Sequence, residues 1–166
     1  CALIHNPKVL MLDEPTTGVD AVSRMEFWEL LRGLKSKGIT IIVSTPYMDE
    51  AQLCDRVALI QHGKILKIDR PEIIIKSYEK QIFGITSDSI HKLLNDLRLY
   101  PDVLHAYAFG QNIHYTGKSP VANVDNLRAY LQRCGHTQVD ITPIVPTIED
   151  VFIDLMQNST RISIDQ

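Results

Sequence analysis

Four apolar residues, Val9-Leu10-Met11-Leu12, run straight into the adjacent carboxylates Asp13-Glu14, and Pro15-Thr16-Thr17-Gly18-Val19-Asp20 then turns the chain and adds a third carboxylate. An apolar run this short, closed by Pro and Gly, has the length of a buried strand rather than of a helix. The Asp-Glu pair at its end has two readings. It is either an exposed strand terminus, or a metal-holding carboxylate beside a water-orienting one.

The next residues continue an α/β pattern. Lys8 to Leu12 reads as the strand; Phe27, Leu30, Leu31 and Leu34 recur at helical spacing; Lys35-Ser36-Lys37-Gly38 is a basic last turn with a Gly stop. Ile39 to Val43 is a second apolar strand, so strand, helix and strand predict a parallel crossover with both sheet faces covered. Thr45 is placed to cap a further helix with Pro46 at its first position and Asp49 and Glu50 near the positive end of its dipole. Arg56 to Gln61 and Ile65 to Asp69 flank His62-Gly63-Lys64 as a hairpin, and Pro71 to Tyr78 begins a short helix.

From Gln81 the periodicity changes. Gln81 to Ile85 is strand-like, Ser89 to Leu99 helical, Val103 to Phe109 and Asn112 to Thr116 strands around a Gly-Gln turn, Val124 to Cys134 helical, and Val139 to Pro143 a strand. The order β-α-β-β-α-β is that of a ferredoxin-like unit. A closing helix, Ile148 to Met156, comes after the cap Thr147, with Glu149 and Asp150 in its first turn. We therefore expect an α/β unit over residues 1–80, a small α+β ferredoxin-like unit with its closing helix over 81–157, and a flexible polar tail over 158–166.

Composition narrows the function classes. A chain of 166 residues with 45% hydrophobic content suffices for one ordinary core or two small ones. No apolar run approaches the roughly 18 residues of a membrane helix, and nothing at the start resembles a signal peptide. The first residue is Cys, and Cys1 to His5 looks like a helix already under way, from which we expect upstream sequence that is not part of this chain. A net charge of −3 with scattered basic residues argues against nucleic acid as a partner. Cys1, Cys54 and Cys134 lack metal-ligand spacing and read as reduced thiols of a cytosolic protein.

The block from Val9 to Asp20 closely resembles the Walker B strand and D-loop of ATP-binding-cassette (ABC) proteins, a P-loop NTPase family. Two further segments agree. Ile41-Ile42-Val43-Ser44-Thr45 is similar to the strand before that family's switch loop, and Met48-Asp49-Glu50-Ala51 with Cys54-Asp55-Arg56-Val57 is similar to the segment after that loop. The resemblance implies the C-terminal part of a parallel-sheet nucleotide-binding domain. It implies ATP and Mg2+ as ligands, with Asp13 holding the ion, Glu14 orienting the attacking water, and Asp20 acting across a head-to-tail dimer. Pro146-Thr147-Ile148-Glu149-Asp150-Val151-Phe152 resembles the closing motif of ATPase subunits of ABC-2 type exporters. That implies a separate transmembrane permease as partner and a place on the inner face of the membrane.

Two departures from the family pattern stand out. The switch position that normally carries His holds Pro46, which has no polar side-chain atom and no N–H; it is either a helix starter or the mark of an impaired site. The phosphate loop and the Leu-Ser-Gly-Gly signature are absent from the chain, and Gly117-Lys118-Ser119 is only a decoy, with Asn112 in place of the first Gly and Pro120 where a helix should continue. Three functions stay open. The first is an exporter ATPase subunit, inactive as this chain alone. The second is a degenerate half of a tandem ABC ATPase, and the third a soluble non-transport ABC protein.

Overall fold

The computed structural model describes residues 7–119 and 124–162. The expected helix at Cys1 to His5 and Pro120 of the decoy lie outside these residues.

Strand β1 (Val9–Asp13) pairs in parallel with β2 (Thr40–Ser44), Leu10 opposite Ile41 and Asp13 opposite Ser44. The connection is α1 (Ala21–Ser36), which packs Trp28 and Leu31 against Leu10. The helical stripe is thus rotated from the expected one: Trp28 is inside and Leu30 is 52% exposed. Gly38, at φ +86, ends the helix with its N–H on the Lys35 carbonyl, a left-handed cap that costs Gly nothing.

Cover on both faces of this sheet is not what the structure shows. Leu10 is buried under α1, while Val9, Met11 and Ile42 are at least half exposed, because among the described residues nothing packs on their side. A second departure concerns Pro46. The short helix α2 (Met48–Ala51) starts two residues after it, with Tyr47 at the cap position, so Pro46 is not a first helical residue. Thr45 instead accepts the Tyr47 N–H with its hydroxyl oxygen.

Strands β3 (Val57–Gln61) and β4 (Lys64–Asp69) form the expected hairpin. Its two-residue turn has His62 at φ +48 and Gly63 at φ +72, the handedness that matches strand twist. Helix α3 (Pro71–Lys76) comes next, with Pro in its first turn.

The second half is β5 (Ile82–Thr86), α4 (Ile90–Arg98), β6 (Val103–Phe109), β7 (Asn112–Gly117), α5 (Val124–Arg133) and β8 (Asp140–Ile144). The sheet order β6-β7-β5-β8, antiparallel throughout, is the ferredoxin-like arrangement. One sheet face carries Phe83, Ile85, Ile113, Tyr115 and Ile141, and it buries Leu93, Leu97, Leu127 and Leu131 of the two helices. Because side chains alternate across a strand, His105 and Tyr107 of β6 and His114 and Thr116 of β7 fall on the opposite face.

That opposite face is covered by α6 (Ile148–Ile162). The helix reaches beyond the expected Met156, so the stretch read as a tail from Asn158 is helical through Ile162. Its apolar side places Ile148 and Val151 in a core with Ala51, Leu59 and Ile74, and its acidic side turns Asp150 and Asp154 toward the sheet. A single amphipathic helix thereby joins the hairpin region to the ferredoxin-like sheet.

Candidate functional site

The parallel pairing of β1 with β2 decides where the first two carboxylates lie. Register sets Asp13 opposite Ser44, and the Ser44 hydroxyl donates to an Asp13 carboxylate oxygen. The next residue, Glu14, has φ +43, a left-handed conformation that costs a residue with a Cβ about 1 kcal/mol or more. Two hydrogen bonds hold it there: the Glu14 N–H donates to the Ser44 carbonyl at 3.0 Å and to the Ser44 hydroxyl oxygen at 3.1 Å. Ser44 therefore grips both carboxylate residues. The Glu14 side chain accepts the Thr17 hydroxyl at 3.1 Å and is otherwise turned to solvent.

The turn then delivers Asp20 to the N-terminus of α1. One of its oxygens accepts the N–H groups of Val22 and Ser23 at 3.0 and 3.1 Å, and the other the Ser23 hydroxyl at 2.7 Å. The Ser23 hydroxyl and N–H, with the Val22 N–H, hold the Asp20 carboxyl below its ordinary range. In this structure both Asp20 oxygens serve its own helix.

Sequence reasoning treated Asp49 and Glu50 alike, as dipole-complementing acids, and missed what separates them. Asp49 is exposed, whereas Glu50 is 2% exposed. The Glu50 carboxylate accepts the Thr16 hydroxyl at 3.1 Å, the Thr45 hydroxyl at 2.6 Å and the Arg24 Nε–H at 3.0 Å. Burial works to raise its pKa, and donors led by the Thr45 and Thr16 hydroxyls outweigh it and hold the carboxyl below its ordinary range. Arg24 also pairs with Asp49 at 3.1 Å and lies over the Tyr47 ring at 4.3 Å. The available signal was an Arg and a Glu far apart in sequence, each beside a turn, and no periodicity links such a pair.

Pro46 is exposed at the bend between β2 and α2. With Tyr47 and Asp49 it lines one wall of a cleft of roughly 450 Å3 whose other wall is Phe109, Glu149 and Phe152. His62 sits in the hairpin turn, and His5 lies outside the described residues. The decoy Gly117-Lys118-Ser119 is engaged locally: the Ser119 hydroxyl donates to Asp102 at 2.8 Å and the Lys118 ammonium to the Pro101 carbonyl at 3.0 Å. Among the described residues it forms no helix N-terminus and no phosphate cradle.

Exposed hard oxygens of Asp13 and Glu14 at a strand end suit a magnesium ion, which takes one or two carboxylates and keeps several waters. They fit the metal and water side of a nucleotide. The phosphate side needs a nest of N–H groups and a Lys that this sequence does not contain.

No protein-family profile matches the chain. Its relatives are nevertheless consistent. The probable multidrug ABC transporter ATP-binding protein YbhF of Escherichia coli is 34% identical over 158 residues, covering 94% of this chain and 27% of that protein. The Nod factor export ATP-binding protein I of Sinorhizobium fredii is 36% identical over 157 residues, covering 93% and 43%. Among solved structures, cbiO1 of Clostridium perfringens, part of the ABC transporter complex cbiONQ, is 36% identical over 43% of this chain and 30% of its own, with a TM-score of 0.40, a likeness too slight to define the fold. The chain thus spans less than half the length of these relatives. Along nearly its whole extent the chain is similar to ATP-binding proteins of ABC transporters.

Proposed function

We propose that this chain supplies the metal and water side of the ATP-hydrolysis site in the ATPase subunit of an ABC exporter. Asp13 holds the magnesium ion, directly or through water, and Glu14 orients the attacking water. Phosphoryl transfer asks mainly for positioning and charge neutralisation, and bound Mg2+ supplies the neutralisation. The single observation that carries the reading is Ser44, which holds the Asp13 carboxylate through its hydroxyl and the Glu14 backbone N–H through two acceptors, so that both residues are set at the end of one parallel strand pair.

The rest of the assembly follows the pattern of the family that the chain resembles. The phosphate loop comes from sequence outside this chain. A second nucleotide-binding domain pairs head to tail, where Asp20 approaches the opposite site as well as capping α1. A separate transmembrane permease holds the protein on the cytoplasmic face of the membrane, and nucleic acid is not a partner. Residues 1–80 form the nucleotide-handling unit, and residues 81–157 a ferredoxin-like unit with its closing helix. Residues 158–166 end the chain.

Pro46 favours a second reading, in which this cassette is the weak half of a tandem pair. Without a polar atom at the switch, the γ-phosphate loses a donor that a His would supply.

The test is ATP turnover by the purified 166-residue protein with magnesium. None is expected, since the phosphate cradle is missing. Magnesium-dependent turnover that Glu14→Gln abolishes would show that the chain carries a whole site, against this proposal.

A further inference from the structure

We infer that Glu50 is a positioning residue that fastens the turn after Glu14 to the switch segment, so that the two move as one body. The inference rests on the reading of Glu14 as the water-orienting group, and it names a residue that acts through others rather than on nucleotide.

Three donors from three separate elements converge on the Glu50 carboxylate. Thr16, 1% exposed, comes from the turn two residues beyond Glu14; Thr45 comes from the segment just before Pro46; Arg24 comes from α1. The chain of contacts continues past the carboxylate. The Thr45 hydroxyl that donates to Glu50 also accepts the Tyr47 N–H at 3.1 Å, and the Arg24 guanidinium closes the loop by lying over the Tyr47 ring. Thr16, Glu50, Thr45 and Tyr47 thus form one connected line between the catalytic turn and the switch.

A spacer alone does not explain the choice of residue. Enclosing a carboxylate is costly unless every oxygen is well paired, and an apolar side chain of the same volume fills space without that penalty. What the carboxylate adds is direction: its two oxygens accept from fixed donors, so neither loop can slide without breaking a bond to an enclosed charge. Ser44 holds Asp13 and Glu14 at the strand ends, and Glu50 holds the residues just beyond those ends. A shift of about 1 Å at such a site is enough to cost a hundred-fold in rate.

The first test uses amide hydrogen exchange on the 166-residue chain. Glu50→Ala is expected to speed exchange at Thr17, Val19 and Tyr47 at least ten-fold while β5 and β7 are unchanged. Glu50→Gln, which keeps an acceptor for the two hydroxyls, is expected to restore most of the protection. Unchanged exchange at those three amides overturns the inference, and so does equal acceleration in every strand, since general loss of stability would do that. The second test uses a protein that joins this chain to a phosphate loop: Glu50→Ala should lower kcat ten-fold or more with KM for ATP within two-fold. A raised KM with unchanged kcat overturns it as well. Absence of turnover in that unaltered protein would instead sink the ATPase reading, and the exchange result would then decide Glu50 by itself.

Discussion

His114 Nδ1 lies 2.7 Å from an Asp150 carboxylate oxygen, with both side chains almost fully enclosed between α6 and the β6-β7 face of the sheet. The same oxygen accepts the Tyr107 hydroxyl, and the other carboxylate oxygen accepts the Thr147 N–H and hydroxyl, both at 2.6 Å. The Thr147 hydroxyl oxygen in turn accepts the Asp150 N–H at 3.3 Å, which makes a reciprocal cap at the start of α6. One carboxylate therefore both starts the closing helix and anchors it to the ferredoxin-like sheet. One turn further on, Asp154 repeats the arrangement with His105 at 3.0 Å and with Lys80.

Removing the Asp150 carboxylate should be severe. Asp150→Ala leaves His114, Tyr107 and the Thr147 N–H without their acceptor in an enclosed place, and breaking such a network costs about 3 kcal/mol. A large fall in the urea midpoint is expected. A change under about 0.5 kcal/mol, the level of an ordinary surface substitution, would show that α6 is held by its apolar side alone.

Acid should act on the same joint. Burial by itself would raise the Asp150 carboxyl, but the bonds from His114, Thr147 and Tyr107 prevail and hold it at about 2, against an ordinary 3.8. A lowered carboxylate pKa contributes stability above the ordinary value, and that stability is lost as pH falls through the folded one. The contribution is about 2 kcal/mol, present in full above about pH 5 and lost on the way down to about pH 2. Asp154 is lowered too, because Lys80 and His105 outweigh its burial, so it adds in the same direction. Urea titrations from pH 6 to pH 2 should show stability falling in this window, and the Asp150→Asn variant should show a shallower fall. Equal slopes would detach the acid response from Asp150.

What could be read from the sequence was whatever periodicity controls. Val103–Phe109 forms the strand its alternation predicts, and the β-α-β-β-α-β order led directly to the observed sheet. The misses have physical causes. Met11 and Ile42 look like core residues in an apolar run, yet their exposure depends on what packs against the far face, which no local pattern records. Trp28 displaced Leu30 from the buried stripe because a small rotation of α1 buries the larger ring. Pro46 has good chemistry for a helix start, but the Thr45 hydroxyl turned to Glu50 and Tyr47 and set the helix two residues later. At the site, Asp13, Glu14 and Asp20 were visible as a motif, while Glu50 drew its meaning from partners 34 and 26 residues away.

The left-handed backbone of Glu14 predicts a conflict between stability and chemistry. Glu14→Gly and Glu14→Ala both delete the carboxylate, but only Gly adopts φ +43 without strain. The Gly variant should be more stable than the Ala variant by about 1 kcal/mol, although Gly is ordinarily the less stabilising of the two. Thermal melts of the pair decide it. An Ala variant equal to or above Gly would mean that the two bonds to Ser44 impose no strain.

Pro46 allows a gain-of-function test. In a protein that joins this chain to a phosphate loop, Pro46→His places an imidazole at the exposed bend just after Ser44 and Thr45. Because α2 begins only at Met48, the exchange neither removes a first-turn Pro from that helix nor disturbs its cap at Tyr47. Stability should therefore change little, and any change in rate can be assigned to the new donor. If the site is slow for want of that donor, turnover should rise about ten-fold, the worth of about 1.4 kcal/mol of added transition-state stabilisation. The measurement is steady-state ATP hydrolysis compared with that of Pro46→Ala, which restores the backbone N–H without a polar side chain. A rise with His and none with Ala assigns the deficit to the missing side-chain donor. An equal rise in both points to the backbone N–H that Pro lacks, and no rise in either leaves Pro46 as a feature of the bend alone.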